Sequence, residues 1–130
     1  MAHAQDDERA AAILDRRAKG LLALDEALAE LADANCIITI AAVVAERVRL
    51  RAETVSQALE AESDEPISVM CRAAGFSLNG CSALLRMRRR RGRGTRAAAD
   101  ALAFFSGLNR ASAERILQQM MPRNPERRIR

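Results

Sequence analysis

Apolar residues recur along this chain at intervals of three and four, the period of a helix that buries one face. Ala10, Ile13, Leu14 and Ala18 share one face of Asp6–Ala18, and Gly20 is placed to end that helix. Asp6, Asp7 and Glu8 stand where the positive end of a helix dipole favours acids. Leu21, Leu24, Leu28 and Leu31 form a narrow leucine stripe, with Asp25, Glu26, Glu30 and Asp33 on its solvent side, and Asn35 stops it. Ile37, Ile40, Ala41, Val44 and Val48 continue the helical spacing. Cys36–Val44 alone could pass for a buried strand, but no other segment offers it a partner, so it reads as helix. Val55 and Leu59 mark a short helix, with Thr54 and Gln57 spaced like a capping box.

The second half is better punctuated. Asp64, Glu65 and Pro66 form a helix start, followed by Ile67, Met70, Cys71 and Ala74 on one face and Gly75 as the C-terminal stop. Ser77 can cap the next helix, whose inner face is Leu78, Cys81, Leu84 and Leu85 and which Gly92 and Gly94 break. A helix starting near Thr95 carries Ala98, Ala101, Leu102 and Phe105 and closes at Gly107. Asn109 can cap a last helix with Ala113, Ile116, Leu117 and Met120 on one face, stopped by Pro122 and Pro125. The pattern predicts an all-α fold, a compact bundle or short repeat-like array of about seven to eight short helices. The 130 residues make one domain, 1–130, with 1–5 and 122–130 expected as disordered ends.

Composition strengthens the helical reading. Ala is by far the commonest residue, Val is scarce, and there is no Trp or Tyr, which favours helix over strand. Nearly every basic residue is Arg, as a GC-rich bacterial genome would produce, and Lys19 is the sole lysine. Charge adds a second layer. Residues 1–65 carry 14 acids and seven bases, whereas 66–130 carry three acids and 14 bases. The net +4 therefore hides two halves of opposite sign, which either face each other or serve an anionic partner.

Function classes narrow by exclusion. His3 is the only histidine, so no Ser, Cys or Lys nucleophile has an imidazole base, and no phosphate-binding glycine loop is present. Cys36, Cys71 and Cys81 are odd in number and lack a CxxC pair, which fits a reducing compartment and small buried side chains. No catalysis, cofactor, metal or small-molecule ligand is expected. The longest uncharged run, Ala34–Ala45, falls well short of what a bilayer-spanning helix needs, and the start MAHAQDDE is no signal peptide. A cytoplasmic location without membrane contact is the expectation.

Two features carry binding chemistry. Arg86, Arg88, Arg89, Arg90, Arg91, Arg93 and Arg96 crowd one short stretch. Like charges one turn apart weaken a helix, so an anion should accompany their order. Phosphate or the acidic face of Asp25, Glu26, Glu30 and Asp33 are the candidates. Upstream, Met70–Leu84 has the spacing of a helix-turn-helix unit spanning about 67–91. In it Cys71 and Ala74 would pack on Cys81 and Leu84 around Gly75, leaving Ser77, Asn79, Gly80 and Ser82 outward. Those outward positions lack Arg or Gln for base edges.

The segment Glu65–Leu85, EPISVMCRAAGFSLNGCSALL, resembles the heart of the bacterial domain-of-unknown-function family 2336. Arg17–Asp33 and Ala97–Gln119 resemble that family's flanking helices, so about half of the chain is covered in the family's order. The resemblance implies an all-helical domain, built from short helix pairs like a repeat scaffold. It implies no activity, cofactor or catalytic residue. The middle, Cys36–Arg51, is longer and more apolar than the family pattern, and the arginine run is denser. The leading expectation is a non-catalytic helical module that binds another protein or itself through its split charge. The alternative is a small DNA-binding protein, in which seven neutralised phosphates would give a log–log salt slope of about −6.

Overall fold

The structure, a computed structural model, describes residues 2–94 and 98–120. These form eight helices: α1 Ala2–Ala18, α2 Leu24–Asp33, α3 Ile37–Val48, α4 Ala52–Glu60, α5 Glu65–Ala74, α6 Leu78–Arg90, α7 Ala98–Ser106 and α8 Arg110–Met120. The predicted all-α architecture is therefore what the chain adopts, and Cys36–Val44 contributes to helix, not strand.

Helix neighbours sort into two layers. In one, α1, α2, α6 and α7 lie side by side in that order; in the other, α4, α3, α5 and α8 do. Contacts of α2 with α3, and of α5 with α6 and α7, join the layers. The buried core runs through both, from Ala10 and Ile13 to Ala113 and Leu117. Small residues let the axes approach. The heaviest packing is α2 on α6, where a Cβ on Gly80 would fall 3.2 Å from Cδ2 of Leu28. Ser77 at the start of α6 meets Asp25 at the start of α2, and Arg90 near its end meets Ala32 near the end of α2, so the two run parallel.

Most stops are where the pattern puts them. Gly20, Gly75, Gly92 and Gly94 all have positive φ, and Asn35 takes the same left-handed conformation after α2. Asn109 Oδ1 accepts from the Ser112 amide at 2.8 Å, capping α8. Arg49, φ +60, ends α3 in the left-handed region, a stop that no glycine marks.

Four local expectations are corrected. α1 begins at Ala2, ahead of the expected start at Asp6, so Asp6–Glu8 fall beyond its first turn. Leu21 lies in the turn before α2 and is 70% exposed, while Leu22 takes the buried seat. Thr54 and Gln57 form no capping box, because α4 starts at Ala52 and both lie inside it. Leu78 is 49% exposed rather than inward, because Gly80 and Cys81 form the buried side of the first turn of α6. The expected start at Thr95, the stops at Pro122 and Pro125, and the end 122–130 lie outside the described residues.

Candidate functional site

Asp64 precedes α5 as a capping residue would, yet its side chain does not cap. Ser63 Oγ accepts from the Glu65 amide at 3.1 Å instead. This frees the Asp64 carboxylate to turn inward, where it is 2% exposed and meets two arginines of α6. Arg88 Nε donates to Oδ1 at 3.0 Å, and Arg89 donates Nη1 to Oδ1 at 2.9 Å and Nη2 to Oδ2 at 2.7 Å. Burial alone would push Asp64 up. The hydrogen bonds from Arg89 and Arg88, and their charges, outweigh it and hold the carboxyl below its ordinary range. The same hydrogen bond raises Arg89.

Arg88 has no exposed surface. Its other nitrogens close on backbone carbonyls at the end of α4 and just beyond: Leu59 at 2.7 Å, Ala58 at 3.2 Å, Ser63 at 3.0 Å and Glu62 at 3.4 Å. A helix end leaves its last carbonyls without intrahelical donors and carries partial negative charge, so a guanidinium suits both needs. The device recurs. Arg90 donates to Ala32 of α2 at 2.8 Å, Arg47 to Ala74 of α5 at 3.0 Å, and Arg72 to Phe105 of α7 at 3.0 Å. Thus α2, α4, α5 and α7 each have their C-terminal end tied by an arginine from a different helix.

The remaining arginines of the run are placed as follows. Arg91 makes a forked pair with Glu60 at 3.1 and 3.2 Å, lowering that carboxyl through the hydrogen bond, and Arg93 approaches the same group at 4.0 Å. Arg86 is exposed, hydrogen-bonds Ser82 and lies 3.9 Å from Asp33. Gly94 lets Arg89 lie across the chain, since a Cβ there would overlap its guanidinium. Arg96 is outside the described residues. The expectation of seven arginines facing a partner is thus corrected for Arg88, which is sealed inside.

The acidic face is likewise divided. Asp25 leaves it to accept from the Ser77 amide at 3.0 Å and to bond the Ser77 hydroxyl. Glu26 accepts from the Ala23 amide at 3.1 Å, closing the start of its own helix where Ala23 has no side chain to do so. Glu30 pairs with Arg16 at 2.8 Å. Asp33 is the member of the face that meets the arginine run, through Arg86.

The helix-turn-helix residues do form a tight corner. Gly75 turns the chain at φ +86, Ser77 Oγ accepts from the Asn79 amide at 3.2 Å, and Cys71, Ala74, Cys81 and Leu84 are buried. The Cys71 thiol is pushed well up, first by a hydrogen bond with Cys81 and then by burial. Ser77 and Asn79 are exposed and Ser82 half-buried, whereas Gly80 is covered by α2. The Asp25 carboxylate occupies the start of α6, where a phosphate would otherwise sit.

Sequence reasoning missed Asp64 and Glu60 as the partners of the run, and Arg47 and Arg72 as locks. The signal available was the run's own repulsion, which demanded acids but not which ones. Among the described residues, no group of three or more His, Cys, Asp or Glu could hold a metal ion, and no helix is long and apolar enough to cross a membrane.

No curated protein and no solved structure matches the chain. The family described as "Uncharacterised protein conserved in bacteria (DUF2336)" matches residues 1–118, which takes in every element from α1 through nearly all of α8. The match spans the carbonyl-locking arginines as well as the Cys71–Gly75 corner, and the chain belongs to this bacterial family.

Proposed function

We propose that this chain is a non-catalytic helical module that works by contact with another protein, a second copy of itself included. One observation carries the reading: two large, exposed leucines, Leu21 just before α2 and Leu78 next to Ser77, flank the Asp25–Ser77 cap at one end of the α2–α6 pair. An ordered helix-pair end that exposes two leucines beside satisfied polar groups offers the mixed apolar and polar surface that a protein partner covers. Exposed Arg86 beside Asp33 would add charge steering more than affinity.

DNA binding is the less supported alternative. Arg88, Arg89 and Arg91 close on this chain's own groups, which leaves the run fewer arginines for phosphates than its sequence suggests. Light scattering over a wide concentration range, with chemical cross-linking, tests the contact reading. Self-association that Leu21→Ser with Leu78→Ser abolishes, without loss of helicity, supports it. A strict monomer that forms no cross-linked complex in its host counts against it. A duplex gel shift that weakens steeply with salt, and that substitution of the exposed Arg86 reduces, would favour the alternative.

A further inference from the structure

Gly75 ends α5 and is exposed. A Cβ built on it would lie 3.6 Å from Nη1 of Arg110 and 3.7 Å from Nη2 of Arg47. Two guanidinium groups, from α8 and α3, thus converge on one point beside a residue that contributes no side chain. Gly75 is required there by its φ of +86, and its bare Cα keeps the point open.

The neighbouring charges do not account for both arginines. Arg47 bonds the Ala74 carbonyl through Nε at 3.3 Å and Nη2 at 3.0 Å, which answers the negative end of α5. Arg72, in the last turn of α5, already adds a second cation there, held over the Phe105 ring at 4.0 Å. Arg110 is a third. It starts α8, where the helix end is positive and a cation is disfavoured. Among the described residues its ion-pair partner is Glu114, through Nε at 3.8 Å, with both side chains more than half exposed. Such a pair contributes little. It engages Nε, while Nη1 is the atom that approaches Gly75.

We propose that Arg47 and Arg110 form, over the Cα of Gly75, a solvent-open site for a tetrahedral oxyanion of the phosphate class, either free phosphate or a phosphate ester. Each guanidinium brings one Nη to this point, Nη2 of Arg47 and Nη1 of Arg110, and two such charged donors match two oxygens of one phosphate group. A small adjustment of two exposed side chains brings both donors onto the ligand. The site goes beyond the protein-contact reading and does not depend on it. It also lies apart from the arginine run of α6, where the sequence had placed the expectation of phosphate.

Amide NMR titration of the full chain with inorganic phosphate, and separately with phosphoserine, tests it at constant ionic strength with acetate as control. Saturable shifts centred on Gly75, Phe76 and Arg110, weakened about tenfold or more by Arg110→Gln, are expected from the loss of one charge-assisted contact. Arg110 is exposed, so this variant should melt like the parent; Arg47→Gln, which also frees the Ala74 carbonyl, serves as the second variant. Saturation by phosphoserine alone assigns an ester, and saturation by both assigns the phosphate group itself. No saturable shift, shifts spread evenly over other arginines, equal binding of acetate, or unchanged affinity in Arg110→Gln would each overturn the site.

Discussion

Arg88 Nε donates to Asp64 Oδ1 at 3.0 Å with both side chains buried, joining the middle of the basic half to the end of the acidic half. The pair does more than neutralise charge. It sets the α4–α5 connection against α6, because the same guanidinium bonds carbonyls on that connection. Removing Arg88 leaves Asp64 to Arg89 alone and takes the donor from the Ala58, Leu59, Glu62 and Ser63 carbonyls, at a cost of about 3–5 kcal/mol. Arg88→Met is expected to lose that much in urea unfolding. Arg88→Lys should recover little, since one ammonium cannot reach a carboxylate and several carbonyls together. Glu60→Gln, which breaks the half-exposed pair with Arg91, should cost under about 1 kcal/mol. Equal losses at Arg88 and Glu60 would contradict this division between buried and exposed pairs.

Acid should act through the same carboxylate. The Asp64 carboxyl is held below the ordinary aspartate value of 3.8. A depressed carboxyl contributes stability that is complete above the unfolded-chain value and is lost as pH falls through the folded one. Urea midpoints should therefore hold steady near neutrality and fall steeply below about pH 4. Asp64→Asn should start less stable and show a shallower acid limb. An unchanged limb in that variant would assign acid sensitivity to other groups.

Gly80→Ala should destabilise the protein although Ala is the better helix former. The added Cβ would overlap Asp25 Oδ1 and press on Leu28 Cδ2 at 3.2 Å. Asp25 cannot retreat without releasing the Ser77 amide, and Leu28 is fully buried. Overpacking of this kind costs about 1–3 kcal/mol, against about 1 kcal/mol gained in propensity. A lowered thermal midpoint is the expected reading, and a raised one would show that α2 and α6 separate easily.

All three cysteines are buried, and the Cys71 thiol is raised further by Cys81. Native protein at neutral pH should resist iodoacetamide at all three, and unfolded protein should react fully, as read by mass spectrometry. Fast native alkylation of Cys71 would mean that the α5–α6 corner opens readily.

Much of the fold was legible because helical periodicity and stop residues are local. Leu28, Leu31, Ile40, Val44, Ile67, Cys71, Leu84, Phe105 and Ala113 lie in the core on the faces their spacing predicts. Leu14, Ala18, Leu21 and Leu78 depart from it because periodicity cannot tell where a helix begins or which of its turns another element covers. The arginine run was legible as a problem but not as a solution. Its repulsion required anions, and the opposite charge of the first half pointed inward. That Asp64 would leave its capping place for Arg88 and Arg89, or that Asp25 would leave its acidic face for Ser77, depends on segments far apart along the chain meeting in space.

By itself, then, the sequence determined an all-helical chain, its stops, most of its buried faces and the opposition of its two halves, since each follows from neighbours within a few turns. Only the tertiary structure decided which carbonyls the arginines close, that Arg88 is sealed inside, and that Arg47 and Arg110 converge on Gly75. The reason is reach. A guanidinium on a long side chain finds its partner by the packing of whole helices, and the order of residues records the charge without recording its address.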